Sequence, residues 1–544
     1  MMRIAAMLSA LAVLAPTALD TSATAQGVGY ICGAEHRDAI TGPSRLVILD
    51  GLGSGGFPIQ TADPRAQAWF DYGLKLYHAF YHNEAKAAFA RAEGYDPACA
   101  MCAWGEALAL GPTLNYGVSP SETAAALVVA NHAADLAKTA GDRDKALIKA
   151  LQDRYRPVAP GVKTEPAYGQ AMAEIARRFP ADDEIANLAA HALITPARAD
   201  DFSGVPRAMA LLQGVLARHP DDTAAIHYYI HATEFAHQPA LALPYAERLA
   251  RLAPGASHLV HMGAHTLIHV GRYEEVAVLD AEALKVDADK DTALRDAGPL
   301  GQNRYYQHNL LFGLTGAVMA GDRTLALKFA DDAPVAFPLG RVVDPHQTAL
   351  ARSLIVYGRF EPDKALAVPA PPADQVYLAI LRHNARGEAF AQKGDAAGVL
   401  AEASALAALK LPPEQADNAT LADISQHVLR GRAAMLQGRY DDAAKLFADG
   451  AELQLKAYGD RFDPPPWWYP IRRSVAAADL MAGRYADAAR EARASLAAWP
   501  DDGLALLVLS QAEAKQGQPA AADHLAQAKH AWRGDLGQVR VATI

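Results

Sequence analysis

The chain has 544 residues, of which 51% are hydrophobic and 21% charged, and its formal charge is −10. That balance excludes a disordered chain, and the lack of any dense Lys/Arg block excludes a general surface for nucleic acid or anionic membrane. Leu and Ala are abundant, aromatics stand at 7%, and Val/Ile alternation bounded by turn residues is nearly absent, so the expected fold class is all-α.

In chain order, Arg3 is followed by an apolar run, Ile4 to Ala15, too short to span a bilayer, and then by the small-x-small signature Ala23-Thr24-Ala25. Residues 1–25 read as a signal peptide cleaved after Ala25, with an uncleaved anchor as the alternative. The expected location is periplasmic or secreted, with no membrane span after cleavage. Residues 26–62 form a Gly-rich irregular segment, within which Arg45–Leu49 is the best strand candidate. Gly51–Gly56 matches GxGxxG by letter, but Phe57-Pro58-Ile59-Gln60 opens a helix poorly and no dinucleotide site is expected. Cys99 and Cys102 are spaced to pair in an oxidising compartment; packing as small apolar residues at a helix start is the expectation set against it. Ala103 stands where covalent haem attachment needs a histidine, so haem is set aside.

From residue 63 the chain repeats itself: a helix, a turn such as Gly271-Arg272-Tyr273, a second helix with spaced alanines, then a proline. The turn recurs at Gly438-Arg439-Tyr440 and Gly483-Arg484-Tyr485, and more weakly at Gly321-Asp322-Arg323, Gly394-Asp395-Ala396 and Gly358-Arg359-Phe360. Glycine ends one helix at positive φ, acids suit the next first turn, and alanines allow close helix approach. Asp182-Asp183 and Asp221-Asp222 follow closing prolines and read as such first-turn acids rather than as a glycosidase pair.

The 34-residue interval from Pro220 to Pro254, with the Asn83–Phe89 type of second helix, resembles the tetratricopeptide repeat (TPR) family over most of residues 63 to 520. Phe80-Tyr81-His82-Asn83-Glu84-Ala85, Trp104-Gly105-Glu106-Ala107, the HYxxHxxE stretch from His227, the HLxHM stretch from His258, and Trp468-Tyr469-Pro470-Ile471-Arg472 are similar to a subfamily of secreted bacterial TPR-like proteins. Its usual Pro-Ser is Gly263-Ala264 here, so a different local backbone is expected. The resemblance implies an α-α superhelix, or solenoid, in which neighbouring units supply each other's core. A kink is expected near residues 366–375, at Val368-Pro369-Ala370-Pro371-Pro372. The expected division is a solenoid with a His-lined groove over 63–365 and C-terminal helical repeats over 366–544.

Counting from each closing proline, Asn187, His227 and His261 stand seven residues on, and His191, His231 and His265 eleven. Residues four apart share a helix face, so these six form a ladder across three neighbouring first helices. Glu234 follows His231 by three, His258 precedes His261 by three, and His269 extends the line; Tyr305-Tyr306-Gln307-His308-Asn309 adds His308 at one end. In TPR proteins such offsets face the concave groove, and the resemblance implies the same here. Imidazoles at i and i+4 converge on one ion, so His227, His231, Glu234, His258, His261 and His265 are the candidate metal ligands, with room for one ion or two. Without thiolates nearby, a divalent transition metal fits, Zn, Cu, Fe or Mn. Glu234 is the candidate catalytic base, and Asn187, His191, Tyr305, His308 and Arg472 are candidate ligand-binding residues.

No G-x-S-x-G, P-loop or HExxH is present. Two readings remain open. One is an exported solenoid with a His/Glu metal site, acting as a metal-dependent enzyme on a small molecule; the other is a non-catalytic scaffold holding a peptide or protein partner in the cell envelope.

Overall fold

The computed structural model describes residues 47–159, 162–294, 304–336, 344–411, 415–460 and 462–544. The signal-peptide reading, Cys32, and Arg45 and Leu46 of the strand candidate lie outside the described residues. Val47–Leu49 is irregular, and no strand occurs among the described residues. Among the described residues it has no second extended chain to pair with.

The described chain is all-helical, with 24 α-helices. The first half comprises α1 (Pro64–His78), α2 (His82–Tyr95), α3 (Ala100–Ala109), α4 (Pro120–Leu136), α5 (Asp142–Tyr155), α6 (Thr164–Arg178), α7 (Asp183–Ile194), α8 (Val205–Arg218), α9 (Thr223–Phe235), α10 (Leu243–Leu252), α11 (Ser257–His269) and α12 (Tyr273–Leu294). The second comprises α13 (Arg304–Met319), α14 (Arg323–Ala336), α15 (Asp344–Phe360), α16 (Pro362–Ala367), α17 (Val376–Lys393), α18 (Ala396–Ala407), α19 (Ala416–Leu436), α20 (Tyr440–Tyr458), α21 (Arg472–Met481), α22 (Tyr485–Ala498), α23 (Gly503–Lys515) and α24 (Ala521–Ala531).

Consecutive helices pair as hairpins, and the first helices α7, α9, α11 and α13 also pack side by side. This is a TPR-like solenoid. Burial separates its two layers: every residue of α9 is buried, whereas α10 buries only Ala246 and Leu249. Local chemistry starts and stops the helices as the sequence leads one to expect. Asp182 and Asp222 cap α7 and α9 by accepting from the Ile185 and Ala225 amides, and Gly271, Gly438 and Gly483 follow first helices at φ +81°, +71° and +78°. Gly358 departs from that reading. It lies inside α15, which runs to Phe360, and Pro362 opens α16 directly, so proline rather than a left-handed glycine makes the break.

Three features position the site. Gly51–Gly56 is irregular and lies against helix ends, where Ser54 exchanges two hydrogen bonds with Thr223 at the start of α9 and the Gly255 amide donates to the Gly51 carbonyl. Cys99 and Cys102 are joined in a disulfide at the start of α3, and both are buried, so the packing and pairing readings hold together. The superhelix also returns on itself: a Cβ on Gly271 would stand 2.3 Å from the Pro500 carbonyl oxygen, and Phe462 packs on Phe202 and Phe235. The apolar core falls into two bodies that meet on α11: the first takes α11 up to Met262 and is joined there by Tyr305 and Phe462, and the second begins at Ala264. Between them α11 runs unbroken through Gly263-Ala264, since a Gly-Ala pair, unlike Pro-Ser, leaves the helical amides in place.

Candidate metal centre

Every residue of α11 except His269 is buried, as is all of α9. A helix enclosed on all sides cannot carry polar groups without partners, so its histidines need an accounting. They do not line an open concave groove. His227, His231, His258, His261 and His265 are each 0% exposed, because the stripe is covered from one side by Phe80 and from the other by α13.

The rings gather into two groups. His227 and His231 of α9 meet His258 of α11; His261 and His265 of α11 meet His308 of α13. In each group one ring nitrogen per residue lies within 4.8 Å of the others. His227 Nε2 and His258 Nε2 are 3.2 Å apart, and His265 Nε2 and His308 Nε2 are 3.3 Å apart. Two nitrogens bound at about 2.0–2.1 Å to a tetrahedral ion stand roughly 3.3 Å from each other.

On the opposite side, Nδ1 of His227, His261 and His265 is held from outside. His227 donates Nδ1–H to the His78 carbonyl oxygen at 2.7 Å, which leaves a lone pair on Nε2. His261 Nδ1 is 2.6 Å from Asp280 and His265 Nδ1 is 3.1 Å from Glu234, while His231 Nδ1 faces Glu234 and His308 Nδ1 faces Asp463 at 3.8 and 3.7 Å. His261 Nε2 has no hydrogen-bond partner among the described residues. This is the arrangement metal-binding histidines adopt, with an outer carboxylate or carbonyl fixing the tautomer and an inner nitrogen left to coordinate.

Charge points the same way. Burial, then neighbouring imidazoles, hold His227, His258, His261 and His308 well below the ordinary histidine range, so the rings are neutral. Burial also lowers His231. Burial alone would raise Glu234, but His265, His231 and His269 around it hold its carboxyl well below the usual range. Burial, and then Asp287, pushes Asp280 well above its usual range. An enclosed Glu234 carboxylate behind neutral rings is offset by a cation on the far side of those rings.

Glu234 belongs to neither triad. Its oxygen stands 3.1 and 3.2 Å from His265 Nδ1 and His269 Nε2, at the back of the ligands. A three-residue step on α9 turns it toward α11 instead of toward the point where His227 and His231 converge. His308, read as a ligand-binding residue, completes the second triad. His191 does not join the ladder; it stacks on Tyr228 with ring centroids 4.8 Å apart and lies 3.1 Å from the Tyr77 hydroxyl. Asn187 donates to the Asp222 cap. Both sit on α7, one helix short of the triads. Tyr305 packs its ring on His258 at 4.5 Å and accepts from Asn115 at 2.8 Å. Arg472 pairs with Glu491 at 3.0 Å on the rim of a cleft.

That cleft, about 530 Å³, is lined by Glu234, His237, His269, Tyr273, Phe462, Asp463, Pro464, Trp499 and Arg472, among others. His269 links it to the centre, its Nε2–H donating toward the Glu234 carboxylate and the Phe462 carbonyl oxygen at 3.2 and 3.1 Å. Sequence reasoning missed Phe80, whose ring touches His227, His231 and His258 and whose φ is +62°. It also missed Asp280 and Asp463. An acid inside the apolar run Val278-Leu279-Asp280-Ala281 was the available signal for Asp280; nothing local marks the other two.

The fold and site together define an all-α TPR-like solenoid with a buried polyhistidine cluster. No protein-family model and no curated protein matches the chain. Among solved structures, the human IFIT1 dimer with m7Gppp-AAAA is 13% identical, covering 79% of this chain and 88% of that one with a TM-score of 0.33. Cut9 in the APC/C Cut9–Hcn1 hetero-tetramer is 12% identical, with coverages of 88% and 95% and a TM-score of 0.30. The P58(IPK) TPR domain is 14% identical, with coverages of 69% and 96% and a TM-score of 0.21. Overlaps this loose decide nothing about partners, and the helix order and packing above carry the architecture. No described helix is long and apolar enough to cross a membrane.

Proposed function

We propose that this chain is an exported helical-repeat protein that holds a divalent transition metal, Zn, Cu, Fe or Mn, in its tri-histidine groups and acts as a metal-dependent enzyme on a small molecule. The observation that carries the reading is the pairing of inner nitrogens 3.2–3.3 Å apart, with one ring of each pair, His227 and His265, bonded from outside at Nδ1. His227, His231 and His258 hold one position; His261, His265 and His308 hold the other. Three neutral nitrogens leave a coordination position for water or substrate, which suits Lewis-acid or water-activating chemistry. Glu234 serves as the group that orients His265 and His231, and the cleft beside His269 is the substrate's approach. Asn187, His191, Tyr305 and Arg472 would shape the surroundings rather than bind the ion. The export reading rests on residues 1–25.

The scaffold reading needs an open stripe for a peptide, and enclosure of the stripe favours an ion over a chain. Elemental analysis of protein purified without a His tag tests the proposal. Stoichiometric metal that falls in His231→Ala and in His265→Ala, with the helical circular-dichroism signal retained, supports it. Wild-type protein that contains no metal and cannot be loaded with any refutes it and returns the scaffold reading.

A further inference from the structure

The two triads are not separate stations along a solenoid. They share α11, which gives His258 to one and His261 to the other, three residues apart and so about 4.5 Å along the helix axis. Rings of different triads touch: His231 and His265 have centroids 5.6 Å apart, and His258 and His261 6.0 Å. One carboxylate, Glu234, faces Nδ1 of a ligand in each triad. Behind the second triad stand two further carboxyl groups, Asp280 at His261 Nδ1 and Asp463 toward His308 Nδ1.

Resting on the metal reading above, we infer that the six histidines form a single dinuclear centre, whose two ions share one small monoanionic or oxygen-donor ligand lying between the triads. Such a ligand screens the two ions from each other and occupies the open positions that both three-nitrogen sets leave. Two adjoining dications without it would repel each other strongly in an enclosed site. The ligand must be small, because the rings and Phe80 leave the centre enclosed and the cleft meets it at His269 and Glu234.

The test is to load full-length protein with Cu(II), measure copper per chain, record its electron paramagnetic resonance spectrum, and titrate with azide as the probe ligand. The expected result is two coppers per chain, loss of most of the two-spin intensity or a half-field transition, and an azide charge-transfer band that saturates at one azide per two coppers. His308→Ala and, independently, His258→Ala should each leave one copper with its full one-spin signal and no half-field transition. Two coppers with full, uncoupled intensity, or azide saturating at one per copper, overturn the shared centre while leaving the metal reading intact. A single copper in the wild type overturns the pair alone, and absence of any copper or other metal overturns both.

Discussion

His227 donates Nδ1–H to the backbone oxygen of His78 at 2.7 Å, and that one bond aims its Nε2 at His258 across the gap between α9 and α11. A backbone carbonyl can only accept, so the tautomer of His227 is fixed by the chain that ends α1. The turn after His78 therefore belongs to the site, although it lies 149 residues away in sequence.

Asp280→Asn should weaken metal binding about 10- to 100-fold, the usual effect of removing an outer carboxylate. The loss should fall on the second triad, because Asp280 touches only His261 among the six. Competition with a chelator, followed separately for each bound ion, measures it.

Glu234→Gln should weaken both positions by a comparable factor, since the same carboxylate faces His265 and His231. The contrast with Asp280→Asn is the informative part. Chelator competition in which Glu234→Gln affects one ion alone would show that Glu234 does not span the triads.

Metal removal should lower the melting temperature. An ion that binds only the folded chain stabilises it by about 4 kcal/mol when present at a thousand times its dissociation constant. Scanning calorimetry before and after chelation, with restoration by added metal, checks this; equal melting temperatures would contradict it.

Phe80 trades strain for packing. Its φ of +62° is unfavourable for a side-chain-bearing residue, yet its ring is 0% exposed against the imidazoles. Phe80→Ala should cost about 3–5 kcal/mol in urea unfolding. Phe80→Gly should be about 1 kcal/mol more stable than the alanine variant, because glycine alone relieves the left-handed backbone.

Gly271→Ala should destabilise the contact that closes the superhelix. The new methyl would meet the Pro500 carbonyl at 2.3 Å, at a φ of +81° that alanine resists. Gly438→Ala is the control, with similar φ and open space around it. Greater protease sensitivity between the two ends of the chain in Gly271→Ala than in Gly438→Ala is the expected result.

Much of this was legible before any coordinates. The glycine turns at Gly271, Gly438 and Gly483 and the caps at Asp182 and Asp222 are decisions made within one or two helical turns, and they fall where sequence chemistry places them. The ladder was legible too, because i and i+4 spacing fixes a shared face. Its misreadings come from direction. His191 and Asn187 satisfy the same offsets as His231 and His227 yet stand one helix away from the triads, and Glu234 shares the stripe but turns to the back of His265.

The sequence by itself determined the helices, their pairing into repeats, and which residues lie on the inner stripe, because hydrogen bonding and side-chain periodicity along a helix are local. Only the tertiary structure decided that the stripe is enclosed, that α9, α11 and α13 supply two sets of three nitrogens, and that His78, Asp280 and Asp463 hold those rings from behind. The physical reason is that ring orientation depends on partners contributed by distant segments, and no periodicity within a helix records where the rest of the chain returns.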